Sequence, residues 1–320
     1  KVPINPEACG EQSFATLPVI EQVFVNAKKG MDNATLDRHL YIARRRAEKR
    51  IELSDEVFYV ASLASNVISY KGLVMPENLP VFYPDLSEPT LESSQCVFHQ
   101  RFATNTFPQW RLAQPFRFLA HNGEINTIRG NRNWAQARSY TFETPLIPNM
   151  DDIRPWVSSE GSDSNSLDNM VDGLIAGGMD IFRVMRLLIP PAWQNVHTMD
   201  PDLRAFYEYS SMHMEPWDGP AAIVLTDGRH VACCLDRNGL RPARYVITKD
   251  RHITLASEVG VYDYKPEDVV RKGRLKPGEM LAVDTLKGEI IEPKDIDDRL
   301  KSRHPYKEWL AKHTQKLRTA

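Results

Sequence analysis

The sequence has little that would tie it to a metal, an oxidising compartment, nucleic acid or a bilayer. Its 320 residues hold four cysteines, Cys9, Cys96, Cys233 and Cys234. Their spacing matches neither a zinc site nor a disulfide framework. Cys96 and Cys233 lie in apolar, strand-like runs and read as buried free thiols, which fits a reducing compartment. The formal net charge is -2, so no basic surplus exists to draw nucleic acid or an anionic membrane. No apolar run approaches the length of a membrane span. The opening KVPINPEACGE lacks the apolar core of a signal peptide. A glycine-rich dinucleotide fingerprint is missing, as are repeats and low-complexity tracts. What remains, 42% apolar and 26% charged residues, is the composition of a globular chain able to bury a large core.

Periodicity divides the chain. Residues 17–25 are strand-like. In 36–51, Leu36, Leu40, Ala43, Ala47 and Ile51 recur on one helical face. The opposite face carries Arg44, Arg45, Arg46, Lys49 and Arg50 and is expected to be solvated, with a docking face as the alternative. Residues 57–63 and 67–70 alternate around Ser65-Asn66, predicting a hairpin. After a proline-rich connection, strands are expected over 95–100 and 115–120. The spacing predicts helices over 125–138, 164–175 and 181–189. Ser162, Asp163 or Ser164 can cap the second of these, and Asp200-Pro201 opens a further one. From Gly219 onward the pattern is hairpins: 221–226 with 229–235 around Asp227-Gly228, 244–248 with 252–256, and 280–284 with 289–292. Residues 295–318 read as a charged helical connector.

One stretch carries chemistry. Residues 99–124, HQRFATNTFPQWRLAQPFRFLAHNGE, place Arg101 after one predicted strand and Asn122-Gly123 after another. The guanidinium is a planar fork of donors that matches a carboxylate. An Asn side-chain amide beside a Gly N–H supplies two donors for an oxyanion. Gly161-Ser162-Asp163-Ser164 adds a carboxylate at a helix start. Together they suit a small zwitterion whose carbonyl is attacked. Singly, each has a plainer reading: a surface arginine, an Asn-Gly turn, a helix cap.

Arg-Phe-Ala-Thr, His-Asn-Gly-Glu and Ser-Asp-Ser in this order resemble the glutamine pocket of class II glutamine amidotransferases. RFATNTFPQWRLAQPFRFLAHNGEINTIRGN, GGMDIFRVMRLLIPPAWQN, MHMEPWDGPAAIVLTDGR and LDRNGLRPARY are similar to the amidotransferase domain of glutamate synthases, over about 17–309. The resemblance implies an α+β fold, the four-layer αββα sandwich of antiparallel sheets of N-terminal-nucleophile hydrolases, here incomplete at the N-terminus. It implies that Arg101 holds the glutamine α-carboxylate and Asp163 the α-amine. Asn122 and Gly123 form the oxyanion hole, and Thr104 and His121 line the pocket. Asp236 to Pro242, DRNGLRP, is a charged tight turn whose Asp and Arg residues are expected to pair. The role of Glu215-Pro-Trp-Asp-Gly does not follow from its sequence.

In that family the first residue is a nucleophilic Cys whose free α-amine acts as base. This sequence begins with Lys1. Cys9-Gly10 is a poor substitute, because Glu11, Gln12 and Ser13 follow it in place of an apolar strand. The expectation is therefore a partial amidotransferase domain over 1–294, without its nucleophile and inactive alone. A connector over 295–320 would lead toward the synthase central domain. The implied partners are L-glutamine, the synthase domains and an electron-donating subunit, with no nucleic acid and no membrane. No cofactor or metal is expected in this chain; FMN and an iron–sulfur cluster are implied for the whole enzyme. The implied location is the cytoplasm, or the plastid stroma in a photosynthetic eukaryote. A non-catalytic amino-acid-binding or docking module on the same fold is the alternative.

Overall fold

The computed structural model describes residues 1–102 and 106–315. Its helices are α1 (Glu11–Ala15), α2 (Asn33–Ile51), α3 (Leu79–Phe82), α4 (Ile128–Arg138), α5 (Asp163–Ala176), α6 (Ile181–Leu188), α7 (Pro201–Ser211), α8 (Pro293–Lys301) and α9 (Tyr306–His313). The strands are β1 (Leu119–Gly123), β2 (Ala221–Thr226), β3 (His230–Leu235), β4 (Arg244–Thr248), β5 (Ile253–Ala256), β6 (Val269–Arg274), β7 (Met280–Asp284) and β8 (Glu289–Ile291). None of the described helices is long and apolar enough to cross a membrane. The chain forms two compact units, one of residues 1–120 and 136–177, the other of 121–135 and 178–320.

The second unit carries the sheets, and the chain is α+β with antiparallel pairing, as the resemblance implies. A five-stranded sheet runs β1-β2-β3-β7-β8 and a three-stranded one β5-β4-β6. β2 and β3 pair with Val224 opposite Cys233, and Cys233 stands opposite Leu281 of β7. Alternation puts Ala222, Cys233, Leu235 and Leu281 on one face of the larger sheet. There they pack with Tyr245, Ile253 and Leu255 of the smaller sheet, forming a sheet-on-sheet core. The opposite face, with Ile223, Ala232 and Cys234, is also buried. On that side Phe182 of α6 meets the His230 ring edge-on at 5.1 Å, and burial pushes the Cys234 thiol up to about 12. Helix, sheet and sheet are thus stacked within this unit. The three expected hairpins form. β6 was not anticipated, because VVRKGR carries charge where a strand core would be apolar. It pairs with β4 as an outer strand, and Gly273 leaves the space that the Tyr245 ring fills.

The expected single helix over 295–318 is two helices. α8 starts on a reciprocal capping box between Glu292 and Asp295, and Pro305 separates it from α9. Ile296, Leu300 and Tyr306 are buried, and Tyr306 packs edge-on against Phe206 of α7 at 5.4 Å.

In the first unit, α2 keeps part of the polarity expected of it, with Leu36, Leu40, Ala47 and Ile51 half-buried and Arg46 and Arg50 exposed, and departs from it in the middle. Ala43, on the supposed core face, is exposed, whereas Arg44 is buried. Arg44 pairs with Asp172 of α5 and, at 2.9 Å, with Glu48. Arg46 reaches Asp152 at 2.5 Å, and Lys49 donates to the carbonyl oxygen of Asp151 at 2.5 Å. The basic run is an internal docking face only in part: acids more than a hundred residues away in sequence return to meet Arg44 and Arg46, while Arg46 and Arg50 stay exposed as a solvated face would. Buried charges of this kind persist only when paired.

The strands expected over 17–25, 57–63, 67–70 and 95–100 do not form among the described residues. Alternation signals a tendency to extend, but an extended segment becomes a strand only beside a backbone partner. These segments satisfy some amides otherwise. Ser69 N–H donates to Ser62 Oγ at 3.1 Å, and Ser65 N–H to Asp37 at 2.6 Å. Val23, Val57, Ile68 and Phe98 are left exposed.

Candidate functional site

The predicted site residues fall into two groups, each within its own unit. In the second unit β1 presents His121, Asn122 and Gly123 in succession. The strand starts at Leu119, later than the expected 115–120, because the backbone before it is held by a side chain. Asp168, fully buried on α5, accepts from the N–H groups of Arg117, Phe118 and Leu119 at 3.2, 2.8 and 3.3 Å. Burial pushes this carboxyl up to about 6, against the downward pull of the Arg117 charge and the N–H donors. β1 is an edge strand of its sheet.

His121 is buried, with Nε2 3.4 Å from the carbonyl oxygen of Pro220. Asn122 is half-buried, and its Oδ1 accepts two hydrogen bonds from Arg241, from Nε at 3.0 Å and Nη2 at 2.7 Å. Gly123 has φ 151°, and the carbonyl of Pro220 occupies the space where a Cβ would go. Glu124 N–H donates to that same carbonyl oxygen at 2.8 Å.

The Glu215-Pro-Trp-Asp-Gly string thereby acquires a role: it forms the backing of β1's end. Trp217 is buried and its backbone N–H donates to the carbonyl oxygen of Leu188 at 2.7 Å. Asp218 N–H bonds Thr127 Oγ1 at 2.9 Å, and Gly219 packs its bare Cα against the backbone of Glu124.

The turn after β3 holds from the other side. Asp236 does not pair with an arginine of its own turn. Its buried carboxylate accepts from the N–H groups of Ala221, Asn238 and Leu240 at 2.9, 2.9 and 3.2 Å. That leaves the turn's arginines free to reach outward, Arg237 to Asp218 at 2.7 Å and Arg241 to Asn122. Sequence reasoning missed this. The signal available was the DRNGLRP string itself, but nothing local identifies a partner 119 residues away.

In the first unit, Asp163 is the first residue of α5 and is half-buried. It is not the cap. Ser162 is, its Oγ accepting from Asn165 N–H at 3.1 Å. The Asp163 carboxylate accepts from Ser164 N–H at 2.7 Å and from Ser164 Oγ at 3.2 Å. Arg101 is exposed and follows an irregular segment instead of a strand. Thr104 lies outside the described residues. Cys9 precedes the short helix α1. A separate cavity of about 100 Å³ in this unit is lined by Glu48, Tyr59, Lys71, Phe116, Arg117 and Asn165 among others. There burial, aided by the Arg117 charge, brings the Lys71 amine down to about 7. Among the described residues, no three His, Cys, Asp or Glu side chains are gathered as a metal site.

The chain matches the family described as glutamine amidotransferases class-II over residues 1–309. It is 44% identical over 312 residues to the glutamate synthase [NADPH] large chain of Bacillus subtilis, covering 97% of this chain and 20% of that protein. It is 43% identical to the glutamate synthase [NADPH] large chain of Azospirillum brasilense, covering 98% of this chain and 21% of the relative. Against the ferredoxin-dependent glutamate synthase 1, chloroplastic/mitochondrial, of Arabidopsis thaliana it is 40% identical, covering 99% of this chain and 20% of the relative. The chain thus spans about one fifth of the length of the curated relatives it matches. With a match of this extent, and Arg101, Asn122, Gly123 and Asp163 standing in the expected motifs, the chain belongs to the class II glutamine amidotransferases.

Proposed function

We propose that this chain is the glutaminase part of a glutamate-synthase-type enzyme, in which L-glutamine is hydrolysed to glutamate and ammonia. Arg101 takes the substrate α-carboxylate through its fork of donors, and Asp163 takes the α-ammonium. An N-terminal Cys thiolate attacks the side-chain amide carbon, its α-amine serving as base. The tetrahedral oxyanion is held by Asn122 Nδ2 and Gly123 N–H. Collapse expels ammonia and leaves a γ-glutamyl thioester, which water cleaves to glutamate and the free thiol. The ammonia passes to synthase domains that make glutamate from 2-oxoglutarate, and residues 295–320 lead toward them. FMN and an iron–sulfur cluster belong to those other domains. Their electrons come from a partner protein or a reduced nicotinamide. The setting is the cytoplasm or the plastid stroma.

The observation that carries this reading is the Asn122-Gly123 pair, held at the end of a strand between two separately anchored loops. Its test is glutamine hydrolysis by the full-length protein, read as glutamate and ammonia. Asn122→Ala lowers kcat on the order of a hundred- to thousandfold, Arg101→Ala and Asp163→Asn raise KM, and Cys9→Ala changes nothing. An Asn122→Ala enzyme at full rate would overturn the assignment. Glutamine binding with no ammonia release by the unaltered protein would mark a non-catalytic amino-acid-binding module.

A further inference from the structure

An Asn side chain can serve an oxyanion in only one of its two amide orientations. Turned one way, Nδ2 presents N–H donors. Turned the other, Oδ1 presents lone pairs that repel the developing charge. The two orientations have the same shape, so packing alone selects between them poorly. Here the selection is chemical. Arg241 has donors and no acceptor, and its Nε and Nη2 both point at one atom of Asn122, at 3.0 and 2.7 Å. That atom must be the carbonyl oxygen, so Nδ2 is directed away from the arginine.

The geometry points to Arg241 as a positioning residue that sets the amide orientation of Asn122, and this rests on the reading of Asn122 as an oxyanion donor. The arginine is well placed for such a role. Its turn is anchored by Asp236 to Ala221, the first residue of the strand beside β1. Asp236 N–H also bonds the carbonyl oxygen of Ala221 at 2.8 Å, and Gly278 N–H bonds that of Asp236 at 2.8 Å. The same turn steadies the other oxyanion donor. Arg237 holds Asp218, which lies two residues before the Pro220 carbonyl packed against Gly123. One turn thus grips both halves of the pair. Because Arg241 is exposed, water screens its charge, and its effect is orientation more than field.

The experiment compares Arg241→Met, Arg241→Lys, Asn122→Ala and Arg241→Met/Asn122→Ala in the full-length protein. It reads kcat and KM for glutamine hydrolysis, together with the thermal midpoint and the Asn122 side-chain NH2 signals in ¹⁵N spectra. Arg241→Met is expected to lower kcat about ten- to a hundredfold, with KM within about twofold and the Asn122 NH2 signals shifted or broadened. Arg241→Lys, which keeps one donor, recovers part of the loss. In the Asn122→Ala background Arg241→Met has no further effect on kcat. An equal loss in both backgrounds, or a loss that tracks a fallen thermal midpoint, would reduce Arg241 to a structural residue and overturn the inference. If Asn122→Ala is slow but Arg241→Met is not, the inference fails and the oxyanion assignment stands. If Asn122→Ala is itself at full rate, the assignment and the inference fail together.

Discussion

A Cβ added to Gly123 would stand 1.8 Å from the carbonyl oxygen of Pro220. The contact is reciprocal, because a Cβ on Gly219 would lie 2.0 Å from the carbonyl oxygen of Glu124. Two backbones cross here with no side chain between them, at φ 151° and 152°. Glycine is required at both positions for close approach as well as for conformation. Gly123→Ala and Gly219→Ala should each destabilise the protein by about 3 kcal/mol, seen as a lower midpoint in urea denaturation. An unchanged midpoint in either would contradict the close approach.

Asp168 is the acceptor for three consecutive backbone amides leading into β1, the last of them that of its first residue, Leu119. Asp168→Ala strands those donors in a dry interior and removes the acid facing Arg117. A loss on the order of 3–5 kcal/mol is expected. Asp168→Asn keeps one oxygen, the one that serves Phe118 and Leu119, and should cost roughly half as much. Chemical denaturation of both variants checks the order; equal losses would mean that the bonds to Phe118 and Leu119 contribute nothing and that the whole effect lies in the contact with Arg117.

Lys71 makes stability depend on alkaline pH. Its folded pKa, about 7, lies below the ordinary 10.5. Between these values the unfolded chain binds a proton that the folded chain lacks, so stability rises with pH through that window. The slope is at most about 1.4 kcal/mol per pH unit; below about pH 7 the penalty is constant. Lys71→Met should therefore be more stable than the parent at pH 7 and show a shallower rise toward pH 10. Thermal midpoints across pH 6–10 decide it, and parallel curves would show that Lys71 titrates normally.

Asp236 should couple stability to the site. Asp236→Ala leaves the amides of Ala221, Asn238 and Leu240 without their acceptor. The expected cost is about 2–3 kcal/mol. Because Arg241 hangs from that turn, hydrolysis should also fall in the folded population, assayed well below the melting temperature. A destabilised variant with full kcat would separate the turn from Asn122.

What the sequence determined by itself was the part whose information is local or written in motifs. The Asp227-Gly228 hairpin, the Asp200-Pro201 start of α7 and the stripe of α5 are set by turn chemistry, caps and period, each within a few residues. The motifs identified the family because Arg101, Asn122, Gly123 and Asp163 stand in characteristic strings. The tertiary structure alone decided whatever depends on a distant partner. Arg44 of α2 turned inward because Asp172 comes back to it, while Arg46 stays exposed beside Asp152. The alternating segments 57–63 and 67–70 gained no ladder, since a strand is a property of two chains of backbone and a sequence shows only one. Arg241 found Asn122 across 119 residues. A hydrogen bond of about 3 Å has no signature in the intervening chain, and only folding brings its donor and acceptor within reach.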